Sequence, residues 1–566
     1  MEKRVIVAML LSVVVLALYQ MLLPPPVPMP VQDPAPPAAE GREAGAGPAG
    51  GSADRPVAPT RPTPAPAAAP APRAAAPIVA DSAARDIVVE TDDYVATFTT
   101  QGAVLKSWRL KPPYLDEGGG PLELLPTDAP PGAYPLAFAL STDDPVVTGT
   151  LAAALYRPSA DRLALGSNSA TLRFSYQDAS GLTSHKAFHF RPDGHAFEVR
   201  VEASIESGGV SHPAVIHSGL AIGVPTQVTS ATPPRVVQFH DTSVERIAAA
   251  ALQAQPIYEG SLHFVGVEDH YFVIAAVPGA TPARVEYAAV PARASGAGAG
   301  RTLVGFAVHP KAAMAIPFYL GPKEIDHLRE VDSRLVNAID FGMFAWLVRP
   351  LLDALKWINR YLDNFGWSII ALTVVINILI FPLRHKSMIS MRKMQTLQPQ
   401  VKAIQDRYKK LKFTDPERQK MNAEMMALYK QHGVNPASGC VPMLLTMPVL
   451  FAFYSMLSVA VELRGAPFFG WITDLAAKDP FYITPLIMGG TMFWQQKMMP
   501  TTADPVQQKV FLLMPVIFTG LFMTMPSGLV LYWTASNVLT IAQQYVTNRA
   551  IGAPARPPRP ARKAQP

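Results

Sequence analysis

Cysteine is almost missing from this chain. Of 566 residues one is cysteine, Cys440, so an internal disulfide is excluded and the thiol count says nothing about redox compartment. Charge is also scarce: 16% of residues are charged against 49% hydrophobic, low for a soluble domain of ordinary composition. There is no G-x-x-x-x-G-K-[ST] phosphate loop and no H-E-x-x-H pair. The chain therefore shows no means of hydrolysing a nucleotide, and no cofactor or metal is expected. Ser390-Met391-Arg392-Lys393 fits the S-x-x-K pattern of a serine–lysine nucleophile pair, but four residues inside a basic segment are a weak signal. An enzyme is not expected. The apolar runs do not repeat one another, which counts against a small-molecule transporter or channel with an exported sensor domain.

The net charge of +6 is concentrated in one loop and the C-terminal tail. It reads as charge that orients a membrane protein, and sequence-specific nucleic-acid binding is not expected. Lys3 and Arg4 precede an apolar run from Val5 to Leu23, about long enough to span hydrocarbon at roughly 1.5 Å per residue. Residues 1–23 are read as a retained transmembrane anchor rather than a cleaved signal peptide. Residues 24–85 are dominated by Pro, Ala and Gly and cannot bury a core, so they read as an extended tether.

From Asp86 the texture changes. Phe197, Val199, Val201, Ala203 and Ile205 alternate with Glu198, Arg200, Glu202, Ser204 and Glu206, a period of two with one buried face. Asp193-Gly194 separates this run from Lys186–Phe190, which predicts a hairpin. Further strand-like runs follow to about residue 320, and 86–325 are read as one exported antiparallel β-sandwich.

Residues 326–548 are read as a helical membrane core. An amphipathic helix over 340–363 carries Phe341, Phe344, Ala345, Val348, Leu352, Leu355 and Leu362 on one face, as a helix lying in the membrane interface would. Five spans follow, at Trp367–Leu383, Val441–Leu463, Phe481–Gln496, Val510–Met525 and Leu529–Tyr545. With the N-terminus inside, Arg384, Lys386, Arg392, Lys393, Lys402, Arg407, Lys409 and Lys410 fall in an internal loop. Arg549, Arg559 and Arg562 fall in an internal tail, residues 549–566. Both obey the positive-inside rule. Within 384–435, Leu397, Val401, Ile404, Tyr408 and Leu411 face Met421, Met425 and Leu428 in a predicted helical hairpin with a basic outer face, capped at Thr414–Glu417 and stopped at Gly433.

Polar side chains in apolar spans are candidate sites by default, because lipid offers them no partner. Thr373 and Asn377 lie four apart on one face. Trp533, Ser536, Asn537 and Thr540 share a face of the last span, Thr446 opens the second, and Gln495 closes the third. Together they are read as the lining of a hydrated groove open to the cytoplasm.

The runs "SIIALTVVINILIFPL", "LQPQVKAIQDRYK", "EMMALYKQHGVNPASGCVPMLLTMPVLFAFYSML", "WITDLAAKDPFYITPLIMGGTMFWQQKM" and "MPVIFTGLFMTMPSGLVLYWTASN" closely resemble the YidC family of membrane protein insertases. The anchor, tether and exported domain are similar to its Gram-negative form. The resemblance implies an inner-membrane insertase and chaperone whose groove is closed to the periplasm and takes nascent transmembrane segments. It also implies nascent membrane proteins as clients, taken alone or beside the Sec translocon with its accessory subunits; the basic outer face of the hairpin is read as meeting the headgroups of the phospholipid bilayer, a translating ribosome or only water. Thr373, Asn377, Thr446, Trp533 and Thr540 match groove positions of the family. One position departs: the family usually carries an arginine where this chain has Asn377. The expectation is therefore a groove that works by polarity rather than charge.

Overall fold

A computed structural model describes residues 75–551, apart from 117–118, 167, 192–194, 223–232, 280–282, 293–301, 311–314, 409–416, 435–440 and 499–504. The expected anchor, residues 24–74 of the tether, the Asp193-Gly194 turn, the 414–416 cap, Cys440 and most of the basic tail lie outside the described residues. So do Lys409, Lys410, Arg559 and Arg562. The last tether residues are not a free linker, since Pro77–Val79 pairs antiparallel with strand Ala170–Asp178.

The β-domain is built on the hairpin that the alternation predicts. Strand Thr183–Phe190 pairs antiparallel with Glu198–Ser207, Phe188 opposite Val201 and Phe190 opposite Val199. Val199, Val201 and Ile205 turn inward while Glu202 and Glu206 stay out, but Glu198, expected on the outer face, is buried and paired with Arg200. Strand Ile316–Pro322 adds on the other side, with Phe318 opposite Val199. This forms the middle of an eleven-stranded sheet. Phe98 packs 4.7 Å from Phe188, and Phe138 5.2 Å from Phe318. Each such buried ring contributes about 1.5–3 kcal/mol of apolar transfer.

The single antiparallel sandwich is too simple. Two five-stranded sheets complete the domain, and strand Arg162–Ala164 runs parallel to Asp86–Glu90. Strand Val104–Leu115 pairs irregularly. Pro112 and Pro113 cannot donate to a ladder, and its pairing with Pro121–Glu123 shifts register between Leu110 and Leu115.

The amphipathic helix forms over Ala345–Leu362. Val348, Leu351, Leu352 and Leu355 are buried, at the three-and-four spacing of a single face, while Trp346, Trp357 and Tyr361 are exposed. Leu362, expected on the buried face, is exposed; it precedes Asp363, whose left-handed backbone (φ 48°) ends the helix. Lys356 ties this helix to the β-domain and the core. Its Nζ lies 3.1 Å from Glu324, 2.5 Å from Asp326 and 3.5 Å from Glu462. Burial alone would lower the Lys356 pKa, but these carboxylates raise it above its ordinary value. His270 on the β-domain side also sits 2.6 Å from the Ser458 carbonyl.

Five apolar helices follow: Phe365–Thr396, Val441–Val459, Ile483–Met498, Pro505–Phe522 and Ser527–Ile551. The first does not stop at Leu383. It continues through the basic segment to Thr396, 32 residues in all, long and apolar enough to cross a bilayer. Pro382 does not end it. Helices Gln398–Arg407 and Glu417–Gln431 then pair. Val401 and Ile404 are buried, and Tyr408 donates to Glu424 at 2.7 Å. Gly433 follows with φ 62°, a left-handed stop that glycine takes without strain.

The loop 464–480 closes one end of these helices. Ser527 N donates to the Ala477 carbonyl at 2.7 Å, and Gly528 N to Leu475 at 2.8 Å. Asn364 reaches the carbonyls of Pro467 and Phe468 at 3.2 and 3.1 Å.

Candidate functional site

Helical periodicity explains how a seam of polar atoms forms between the first and last core helices. Thr373 and Asn377 are one turn apart. Thr373 Oγ1 donates to the Ile369 carbonyl at 2.6 Å, and Asn377 Nδ2 to the Thr373 carbonyl at 2.8 Å. The Asn377 amide is thus held with Oδ1 directed away from its own helix. Arg384 lies seven residues on, two turns along the same face. Its Nη1 donates to Asn377 Oδ1 at 2.8 Å and to Thr540 Oγ1 on the last helix at 3.0 Å. Thr540 passes its own proton to the Ser536 carbonyl at 2.7 Å, which leaves its oxygen lone pairs for the guanidinium. Gln543 Nε2 crosses to the Asn377 carbonyl at 3.2 Å.

Contrary to the expectation from sequence, Asn377 does not stand apart from charge, because Arg384 bonds its side chain. Arg384, assigned from sequence to a loop, stays on the helix and turns its charge back into the seam. The first helix reaches that far because residues 384–396 contain neither Gly nor Pro to stop it. None of the five core helices contains Asp or Glu, so the guanidinium has no carboxylate among them. Beyond Arg384 the seam continues: His385 Nδ1 and Thr547 Oγ1 lie 3.3 Å apart, and Arg392 bonds Asn548. Lys393 follows in the last turn of this helix. Lys402 and Arg407 lie on the first hairpin helix, where Arg407 pairs with Glu424 at 3.6 Å.

Not every predicted lining residue joins this seam. At roughly 100° per residue, Ser536, Thr540, Trp533 and Asn537 spread over about a quarter of the last helix, and its edges meet different neighbours. Asn537 Nδ2 reaches Thr491 Oγ1 on the third helix at 3.3 Å. Trp533 packs edge-on against Phe522 of the fourth, centroids 4.9 Å apart. Gln495 is half-buried on the third helix. The side chain of Thr446 lies outside the described residues.

Sequence reasoning missed Thr491, Gln543 and Asp479. Asp479 sits in the closing loop, buried, and accepts from Thr484 N at 2.7 Å, Thr484 Oγ1 at 2.8 Å, Phe481 N at 2.9 Å and Trp471 Nε1 at 3.1 Å. Burial pushes its pKa up, but these four bonds outweigh that and hold the carboxyl below its ordinary value. The signal was an acidic residue just before an apolar run, where a helix start favours it.

Two family matches cover this chain, and the boundary between them falls inside helix Ala345–Leu362. Residues 86–354 match the family described as YidC periplasmic domain, and residues 357–553 match 60Kd inner membrane protein. A membrane protein insertase YidC from Geotalea daltonii is 35% identical, covering 98% of this chain and 100% of its own. One from Geobacter sulfurreducens is 36% identical over 82% of this chain and 86% of its own. A solved structure of an active YidC insertase is 19% identical and covers 84% of this chain and 95% of its own, with a TM-score of 0.34. The transporter alternative finds no support among these relatives. With a β-rich periplasmic domain, a helical core and this sequence match along nearly its whole length, the chain belongs to the YidC family of bacterial inner-membrane protein insertases.

Proposed function

We propose that the seam between the first and last core helices is the path along which the polar flank of a nascent transmembrane segment crosses the membrane. The five core helices and the N-terminal anchor each cross once. The helical hairpin and both termini face the cytoplasm, and the β-domain faces the periplasm. The apolar part of the substrate slides into lipid beside the seam. Each buried methylene contributes roughly 0.8 kcal/mol, so a whole span gains far more than a short flank costs to move, and the protein need only lower the barrier. No nucleotide is spent.

The observation that carries this reading is the set Asn377, Arg384 and Thr540. It is a hydrogen-bonded polar constellation set among acid-free apolar helices, where polar groups are costly unless they serve a path. The sealed end at Asp479 faces the periplasm, and the seam opens towards the hairpin. The basic faces of the hairpin and tail meet the ribosome or lipid headgroups, and the Sec translocon works beside this chain on longer clients.

Photo-crosslinkers placed singly at 377, 540 and 378 test the path on stalled ribosome–nascent-chain complexes. Crosslinks to the substrate are expected at 377 and 540. They are not expected at 378, whose isoleucine faces outward, 63% exposed. Equal crosslinking at all three, or at 378 alone, would put the path elsewhere.

A further inference from the structure

We propose that the junction between the β-domain and the helical core is a proton-operated latch: the Glu462 carboxyl takes up a proton from the periplasmic side to hold the two together, and releases it as the β-domain lifts away. This goes beyond the insertion path and does not depend on it.

The second core helix ends at Val459, and Glu462 lies past it on the short turn Val461–Leu463. The loop that closes the core begins directly afterwards. Lys356 reaches Glu462 from helix Ala345–Leu362, and Glu324 and Asp326 of the β-domain share the same ammonium. Three carboxylates thus surround one cation, and with all of them ionised the cluster carries excess negative charge. Glu324 has further partners: Tyr114 donates to it at 3.0 Å, and His327 Nε2 lies 3.6 Å away. Asp326 is 57% exposed and screened by water. Glu462 takes the longest of the three contacts to Lys356, 3.5 Å, with its side chain 11% exposed. Arg464, two residues on, lies over the Phe272 ring of the β-domain, 5.4 Å from its centroid.

A buried charge without full compensation is costly, and the least compensated group neutralises first. Burial and the neighbouring Glu324 carboxylate push Glu462 up to about 7, against the pull of Lys356. In the lifted arrangement it returns towards its ordinary 4.5. Its support for the closed junction is therefore fully present below 4.5 and is lost as pH rises through about 7.

Other groups at the junction titrate outside the window around neutrality. Burial lowers Lys356, but its carboxylates raise it above its ordinary value; its bond to Asp326 lowers that acid. Both keep their charge. Burial raises Tyr114, which stays protonated. Asp269 is pushed up to about 6 by burial, and His270, bonded to the Ser458 carbonyl, is lowered by burial. Those two titrate at lower pH and with opposite signs. An acid periplasm thus holds the β-domain on the root of the closing loop, and a rise in pH frees it.

The test uses the full chain in lipid nanodiscs, with Cys440→Ser. Nitroxides at Ser243→Cys on the β-domain and Thr473→Cys on the closing loop, both exposed, report closed and lifted arrangements as two distances by pulsed EPR. Between about pH 6.5 and about pH 8 the ratio of closed to lifted should fall about fourfold. Glu462→Gln has the shape of the protonated acid and should stay closed at both. Glu324→Gln removes the charge that raises Glu462 and should move the transition to lower pH.

An unchanged distance distribution in wild type overturns the proposal. So does a pH response that survives in Glu462→Gln, or closure that strengthens as pH rises, which would make His270 the sensor. Lifting of Glu462→Gln at both pH values would mean that the ionised pair with Lys356 holds the junction, and overturns it as well.

Discussion

Removing the Asp479 carboxylate should open the sealed end of the core. Four donors converge on it, from Trp471, Phe481 and both the amide and hydroxyl of Thr484. It joins the closing loop to the start of helix Ile483–Met498. A hydrogen bond to a charged group contributes about 1.5–3 kcal/mol. Some donors regain water in Asp479→Ala, so the set together should lose about 2–3 kcal/mol. That is an increase of about 30- to 150-fold in the population with the loop lifted. Because the chain has one native cysteine, Cys440→Ser gives a clean background. Ala476, 3% exposed in the same loop, is replaced by cysteine and its reaction with an impermeant maleimide is timed. When opening is fast, the labelling rate follows the open population, so it should rise by that factor in Asp479→Ala. A rise of less than about threefold would mean that apolar packing, not the carboxylate, closes this end.

The depressed pKa of Asp479 makes the same seal acid-sensitive: its contribution is fully present above the ordinary value of 3.8 and is lost as pH falls through the lower folded value. Exchange of the Phe481 and Thr484 amides, followed by mass spectrometry, should accelerate beyond its intrinsic pH trend only in that acid window. In the β-domain, Lys186 donates to the carbonyls of Gly102, Ala103 and Phe138 at 2.7, 3.0 and 2.8 Å; Lys186→Met strands three buried acceptors and should cost about 3–5 kcal/mol. Denaturant unfolding of the full chain measures this, and a loss below about 1 kcal/mol would refute the cage. At Gly489 an added Cβ would lie 2.0 Å from Thr519 Oγ1. Gly489→Ala should therefore cost about 1–3 kcal/mol by overpacking, and Thr519→Ala in the same chain should recover most of it in a double-mutant cycle. Lys356→Met leaves Glu324, Asp326 and Glu462 facing one another and should speed proteolysis after Arg334 at the junction by about tenfold.

Much of this fold is written in side-chain periodicity. The two-residue period of Phe197–Glu206 specified a strand, its hairpin partner and most of its buried face, though not the burial of Glu198 beside Arg200. The repeat Leu397, Val401, Ile404 specified the first hairpin helix and the face it buries. Sheet number was not legible, because alternation says which face is buried but not against which layer. The polar set of the last helix was legible as a face, yet four positions on one arc can address three neighbouring helices, and only packing assigns Asn537 to Thr491 and Trp533 to Phe522. Arg384 was missed for a physical reason. A basic residue just past an apolar run satisfies the positive-inside rule, so its charge looked fully explained. Nothing in the pattern shows that its long side chain turns back towards Asn377. Lys186 hides similarly, since one lysine in a strand gives no sign that three carbonyls converge on it.

On the proposed function, this chain alone moves a polar flank across a bilayer without nucleotide. The direct measurement is insertion of a short substrate, one apolar span with an acidic flank, into proteoliposomes holding only this protein. A protease-protected flank is expected in a nucleotide-free reaction, dependent on the protein and lost when Asn377 is replaced by leucine. No protected flank, while vesicles carrying a working translocon insert the same substrate, would contradict it.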